Sequence, residues 1–434
     1  MDGLVIATRG LFSPGGERRF GHHHGVSDDL PLRSNRDFLA LWTGQAASAV
    51  GTNISALAYP LVILAVSGSP TLAGVGASVL AATAFVVRIP AGVIVDRVDR
   101  KHLMLACDAG RFVAVSSLAL LAATGELLIW HILVVAVVEG TLGSLFATAE
   151  AVAVRLVVRP SQVRDAVARN EARQQLAALV GPSIGGALLG LGRALPFLAD
   201  ALSYAVSFAT VATVRTPLTP PGPRPPRQAL REDLLQGLAW LWTQPFLRFV
   251  VLWLSGAGVL FTSIGLVALV LARDLGATPA QIGLMFTLSG SGGLLGAAAA
   301  PRLLRRLRPT VVVLGYAWVA SAATFLLLAA QSVWALGLIG AIAFFPVPAL
   351  NAMVLSEVAV QVPESLHGRA VSATVQLTTL LHPLGPTVAG IALEVLGSSR
   401  TVLIYGTALT GLALIASASR TIRAGPGSPP TLHG

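Results

Sequence analysis

Gly92-Val-Ile-Val-Asp96-Arg97-Val-Asp99-Arg100-Lys101 joins two apolar runs, residues 72–95 and 102–124, each long enough to cross a bilayer as a helix. Between the runs the chain turns tightly and carries three cations and two carboxylates. Gly92 is expected to let helices approach closely, as small residues do at membrane contacts. Asp96 falls at the edge of the hydrocarbon, where an unpaired charge is costly, so it should have a partner. Arg97, Arg100 and Lys101 mark the turn as cytoplasmic.

The rest of the chain has the same character. Of 434 residues, 54% are hydrophobic and 12% charged, with a mean hydropathy of +0.75, which a soluble fold of this length can hardly bury. Long apolar runs recur, so the fold class is all-α integral membrane, because lipid requires each spanning helix to satisfy its own backbone. A membrane β-barrel would need short alternating segments instead. The net charge of +10 therefore speaks to topology and an anionic membrane surface, not to nucleic acid. A single cysteine, Cys107, excludes an intramolecular disulfide. His22-His23-His24 has no carboxylate or cysteine companion, so no metal site is expected there.

About twelve spans are expected, near residues 38–66, 72–95, 102–124, 129–154, 166–191 and 195–214, then 246–271, 279–301, 310–330, 334–355, 370–396 and 401–419. The divisions are a disordered cytoplasmic tail (1–35), a six-helix bundle (36–215), a cytoplasmic linker (216–245), a second six-helix bundle (246–420) and a short cytoplasmic tail (421–434). The linker opens Pro-rich, from Thr216 to Arg227, and cannot be helical throughout. Residues 229–243 then pattern as an amphipathic helix, with Leu230, Leu234, Leu238, Leu241 and Trp242 against Arg231, Glu232 and Asp233. It either lies along the membrane surface or packs as a linker helix. Twenty-three of the thirty Lys and Arg residues fall in tails and loops on the side of the termini; the loops opposite hold only Arg193, Arg273 and Arg400. The positive-inside rule then places both termini in the cytoplasm of a multi-pass protein of the cell membrane.

The two halves repeat. Gly181-Pro182-Ser183-Ile184-Gly185-Gly186 in the fifth span returns as Gly385-Pro386-Thr387-Val388-Ala389-Gly390 in the eleventh. Gly92 returns as Gly296, with a second basic turn from Arg302 to Arg308, and Leu41-Trp42 returns as Leu252-Trp253. Ala300 stands where the first loop has Asp96. Such internal repeats are a signature of transporters built from two bundles around a central cavity.

The opening stretch resembles the loop signature of the major facilitator superfamily of transporters, departing from it at Asp99, where the family pattern has Gly. Gly181-Pro182 with Gly185 and Gly186 resembles the helix-bend signature of its exporter and antiporter branches, which implies closure of one side of the cavity. Residues 36–45 with Ser48 and Gly51, residues 197–203 and residues 362–370 look like the macrolide-efflux and enterobactin-exporter-like branch. Two departures stand out: Thr52-Asn53 follows Gly51 where many members carry Asp, and Ala136 occupies a fourth-span position where a family signature has Arg.

Charged or titratable residues deep in apolar runs are Arg88, Glu139, Asp200, His382 and Glu394. Glu139 lies about 15 Å into its span and shares a face with Gly143, Phe146 and Glu150. It is a candidate for proton coupling, for an ion pair with Arg88, or for binding cationic cargo. Arg88 itself either serves the cavity or snorkels to the headgroups. Asp200 and Glu394 sit nearer the far surface, where water can reach them. Asp108 and Arg111 are spaced as a pair on one helix. Arg97 and Arg100 are within reach of Glu150, and Asp96 is expected against the start of the eleventh span when the cavity opens outward. His382, beside Pro383, either bonds a carbonyl freed by a proline break or relays protons. The resemblance implies a secondary active exporter of a small amphipathic molecule (drug, macrolide, siderophore or other secondary metabolite), working as a monomer and coupled to protons, without a cofactor. No phosphate-binding Gly-x-x-x-x-Gly-Lys-Ser/Thr loop exists, which argues against ATP drive. The alternatives are an importer or uniporter without proton coupling, or a membrane-embedded transferase. No loop-borne cluster of His, Asp and Glu supplies the transferase with acid–base chemistry or a metal.

Overall fold

A computed structural model describes residues 31–219, 228–363 and 366–425, with only the backbone for Ile89 and 228–234. His22–His24 and residues 220–227 of the Pro-rich stretch lie outside the described residues. Among the described residues, twelve helical segments are long and apolar enough to cross a membrane. The first six are α1 (Arg36–Ser67), α2 (Pro70–Val95), α3 (Arg100–Thr124), α4 (Ile129–Val157), α5 (Val163–Leu191) and α6 (Leu195–Thr213). The linker helix is α7 (Gln228–Trp242). The second six are α8 (Pro245–Asp274), α9 (Pro279–Arg306), α10 (Pro309–Leu326), the pair α11 (Val333–Phe344) and α12 (Val347–Gln361), the pair α13 (His367–Thr379) and α14 (Gly385–Leu396), and α15 (Ser398–Ala418). A last turn of helix, α16 (Arg420–Ala424), follows. The described residues form no strand.

Local chemistry fixes the helix ends. The Asn35 side chain accepts from the Phe38 N–H, and Leu32, three residues before it, is buried. Gly68 closes α1 at φ +69°, a conformation that other residues adopt at a cost, and Ser69 then caps α2 with Pro70 in its first turn. Thr278 and Gln281 form a reciprocal capping box at the start of α9.

Two spans that read as continuous are broken. The tenth stops at Phe344 and restarts at Val347 around Pro346, and the eleventh passes through a 3-10 turn, His382–Leu384, around Pro383. Each proline removes a backbone donor and crowds the preceding turn. Pro182, by contrast, sits inside α5 without ending the helix.

Packing divides the molecule lengthwise. At the end away from the termini one apolar core spans both halves, from Leu57, Tyr59 and Phe197 to Leu266, Met285 and Tyr405. Toward the terminal end it splits in two: one core around Phe38, Met104 and Phe146, the other around Leu247, Trp253 and Met353. The halves therefore close on each other at the far end and part toward the termini. The linker helix packs against the second half, with Leu241 fully buried and Leu235 and Trp242 exposed. Its Gly237 lies so close to the Arg369 carbonyl that a Cβ would come within 2.3 Å, which decides for a packed linker helix.

Candidate functional site

Four helices of the first half bring their polar side chains to one point. The Arg111 guanidinium, from α3, donates through Nε to Glu139 Oε1 of α4 at 3.1 Å. Its Nη2 donates to the Tyr204 hydroxyl of α6 at 2.6 Å and to Thr52 Oγ1 of α1 at 3.2 Å. The group also stacks on the Tyr204 ring, 4.0 Å from its centroid, and lies over Gly143, where a Cβ would sit 3.7 Å from its central carbon. Arg111 and Glu139 are both buried. Asp200, one turn before Tyr204, is fully buried against Gly51, with Ser55 and Tyr204 nearby; its Oδ1 accepts weakly from Ser203 at 3.4 Å, and among the described residues none makes a close hydrogen bond to its Oδ2. Burying an ionised carboxylate this way is costly unless charge balances it. One cation here faces two carboxylates.

Thr52, Arg111, Glu139 and Gly143 line a recess of about 290 Å³ that also takes in Gln45, Tyr59 and Glu150. A second cavity of about 260 Å³ lies between the halves, lined by Pro60, Ala77, Pro182, Thr262, Phe286 and Pro386. The two share Asn53 and Ala56, so the polar recess opens off the central space.

Several expected pairings are made differently. Glu139 meets Arg111 and not Arg88, which is exposed on α2. Asp108 accepts from Ser207 at 2.6 Å, and Ser207 in turn accepts from Gln45 at 2.9 Å, so Asp108 and Arg111 are not a pair. The helical spacing is right, but each side chain finds a better donor or acceptor across a helix interface. Glu150 pairs with Arg173 of α5 at 2.8 Å, which leaves Arg97 and Arg100 without it. Asp200 is fully buried rather than open to the surface, because the core around Tyr59 and Phe197 closes over that end of the bundle. The His382 ring sits over Gly258 of α8, and the carbonyl of His382 accepts from the Thr262 hydroxyl at 3.1 Å. Glu394 is exposed yet engaged: it accepts from Ser69 Oγ at 2.5 Å and from the Thr71 N–H at 3.1 Å, at the N-terminus of α2.

The Gly-Pro elements meet the opposite half at the closed end. A Cβ on Gly186 would come 2.3 Å from the Pro279 carbonyl, and one on Gly283 the same distance from the Pro182 carbonyl. Symmetrically, Gly390 abuts Pro70 and Gly74 abuts Pro386. Gly181 and Gly185 bring α5 onto Asn53 and Ile54 of α1, and Gly385 brings α14 onto Thr262 of α8.

The basic turn does other work. Lys101 Nζ donates to the carbonyls of Ala212 and Val214 at 2.8 and 2.7 Å, capping the C-terminus of α6. Arg100 donates to the Leu218 carbonyl at 3.2 Å and stands 3.7 Å from Asp96, whose side chain is half exposed. Asp99 caps α3 through the His102 N–H and accepts from Thr219 at 2.8 Å, which explains an acid where the family pattern has Gly. Partial burial opposes its ionisation, but the bonds from the His102 N–H, the Thr219 hydroxyl and the His102 ring hold its carboxyl below the ordinary Asp value. Gly92 faces open space, so the close approach expected there is not made in this conformation. Gly296 does make one, against the Phe345 carbonyl. Tyr59, Arg173, Tyr204 and Ser207 complete the polar interior without any mark in the sequence that separates them from ordinary apolar-helix residues. Among the described residues no group of His, Cys, Asp and Glu is placed to hold a metal.

Comparison with known proteins agrees with this architecture. The family model of the Major Facilitator Superfamily matches residues 41–386. The enterobactin exporter EntS of Citrobacter koseri is 25% identical over 394 residues, 88% of this chain and 92% of that protein. The enterobactin exporter EntS of Shigella boydii is 24% identical over 342 residues, 78% of this chain and 80% of that protein. Among solved structures, an inward-facing, unoccupied bacterial homolog of the human lysosomal transporter Spinster superposes with a TM-score of 0.69 at 16% identity, covering 92% of this chain and all of its own. The nucleoside transporter NupG superposes with a TM-score of 0.72 at 12% identity, covering 88% and 98%.

Proposed function

Since the chain belongs to the Major Facilitator Superfamily of transporters, we propose that it is a proton-coupled exporter of a small amphipathic organic molecule, with siderophores and drug-like metabolites as the first classes to try. The observation that carries this reading is the buried Arg111–Glu139 pair, which lines a recess that opens into the space between the halves, with the charge of the buried Asp200 nearby. With one cation against two carboxylates, a proton completes the balance, and cargo that disturbs the pair changes whether that proton is held. The apolar central cavity suits the body of an amphipathic cargo and the recess its polar groups. The distribution of arginines supports a cytoplasmic terminal end, and the conformation described is then the one that loads from the cytoplasm. Alternating access follows from opening the Gly-Pro contacts and closing the terminal end, where Asp96 would come against the start of α13.

The test is accumulation of a substrate panel in inside-out vesicles from cells lacking their own pumps. A transported compound should accumulate on imposing a proton gradient and stop on adding a protonophore. Uphill accumulation that ignores the protonophore would remove proton coupling; flux that only equilibrates would make the chain a uniporter.

A further inference from the structure

The second half holds a cleft of about 490 Å³ walled by α9, α10 and the α11–α12 break. It shares no lining residue with the central cavity or the polar recess. The lining is apolar, with Leu295, Leu307, Val311, Val319, Leu338 and Phe345 prominent. Gly315 keeps it open: a Cβ there would meet nothing within 4 Å. Along α9 the lining runs from Gly292 to Leu307, roughly 22 Å of helix at 1.5 Å per residue. The hydrocarbon of one leaflet is about 15 Å deep, so the cleft reaches from mid-membrane to the headgroup level at the terminal end. Arg302 and Arg306, on the same stripe of α9 as Leu295, and Arg308, at the start of α10, stand at that mouth, all exposed, whereas the exposed Arg305 falls on the opposite face of α9. Among the described residues none of the four has an acidic partner.

We propose that this cleft is a binding site for an anionic phospholipid, an acyl chain filling the apolar slot and the phosphate held among Arg302, Arg306 and Arg308. The slot alone would take the chain of any lipid. The unpaired cations select the headgroup, as basic pockets at membrane-helix ends do. The depth of a single leaflet fits a lipid of that leaflet better than a cargo that must cross both.

Native mass spectrometry of the full chain, released from micelles holding equal phosphatidylglycerol and phosphatidylcholine of the same acyl length, tests the assignment. Wild type should retain phosphatidylglycerol in preference. Combining Arg302→Gln, Arg306→Gln and Arg308→Gln should lower that preference about fivefold for each cation removed and leave phosphatidylcholine retention unchanged. Gly315→Phe should release both lipids. Leu338→Trp, at an exposed position of the lining, provides a second filler should the first lower expression. Equal retention of the two lipids by wild type, a preference that survives the triple substitution, or retention that survives both fillers would each overturn the site. So would a second copy of the chain seated there in place of lipid.

Discussion

Arg111 makes four contacts with three residues, Glu139, Thr52 and Tyr204, whereas Glu139 has Arg111 as its charged partner. Substituting the two is therefore not equivalent. Glu139→Gln leaves Arg111 with Tyr204, Thr52 and the nearby charge of Asp200. Arg111→Gln leaves two buried carboxylates and no cation, a loss on the order of 3–5 kcal/mol when a buried pair is broken. Thermal melts in detergent should place Arg111→Gln well below Glu139→Gln, with the double variant recovering part of the difference. Equal destabilisation by the two single variants would mean that Asp200 does not feel Arg111. In transport, Glu139→Gln is expected to abolish proton-driven accumulation while downhill exchange persists. Glu139 was legible because an acid deep in an apolar run stands out by itself. Its partner was not, because the cation missing from the fourth span at Ala136 arrives from the third, and no spacing within one helix reveals a neighbour on another. The same holds for Asp200, which sits beside Gly51 where the first span lacks an acid of its own.

At the scale of elements, the Gly-Pro repeat was readable as a repeat, and its glycines do bring backbones into contact. The two copies differ in continuity: α5 runs on through Pro182, while the eleventh span breaks. Pro383, three residues before the repeated Pro386, makes that difference, so equivalent motifs sit in unequal helices. Contact between α5 and α9 holds the closed end, and Gly186→Val should push against the Pro279 backbone there. Overpacking of this kind costs about 1–3 kcal/mol, enough to shift a two-state balance roughly 5- to 150-fold toward the conformation open at that end. The readout is labelling of Asn53→Cys in the central cavity by an impermeant thiol reagent from the side away from the termini. Gly190→Val, at a position where a Cβ meets nothing, serves as the control and should leave labelling unchanged. Equal labelling in both variants would show that the α5–α9 contact does not set the gate.

For the whole molecule, twelve spans and their division were legible from composition and repeat, because lipid makes the apolar period so long that boundaries shift by only a few residues. The side on which each end lies rests on the arginine count. In a Cys107→Ser background, Gly192→Cys and Ser399→Cys should react with an impermeant reagent outside the cell, and Ser34→Cys and Ser161→Cys should not. The reverse pattern would invert the direction of export. What no sequence pattern announced is how the linker is fastened. Asp37 holds Thr216, Arg100 holds Leu218 and Asp99 holds Thr219 on the first half, while α7 is packed on α13 of the second. In mechanical terms this is a leash pinned to both walls of the mouth that must open and shut. Covalent geometry lets the chain from Thr219 to Gln228 reach at most about 30 Å. The widest aperture the transporter can present at its terminal end is thus bounded by the tether, independently of any contact within either bundle.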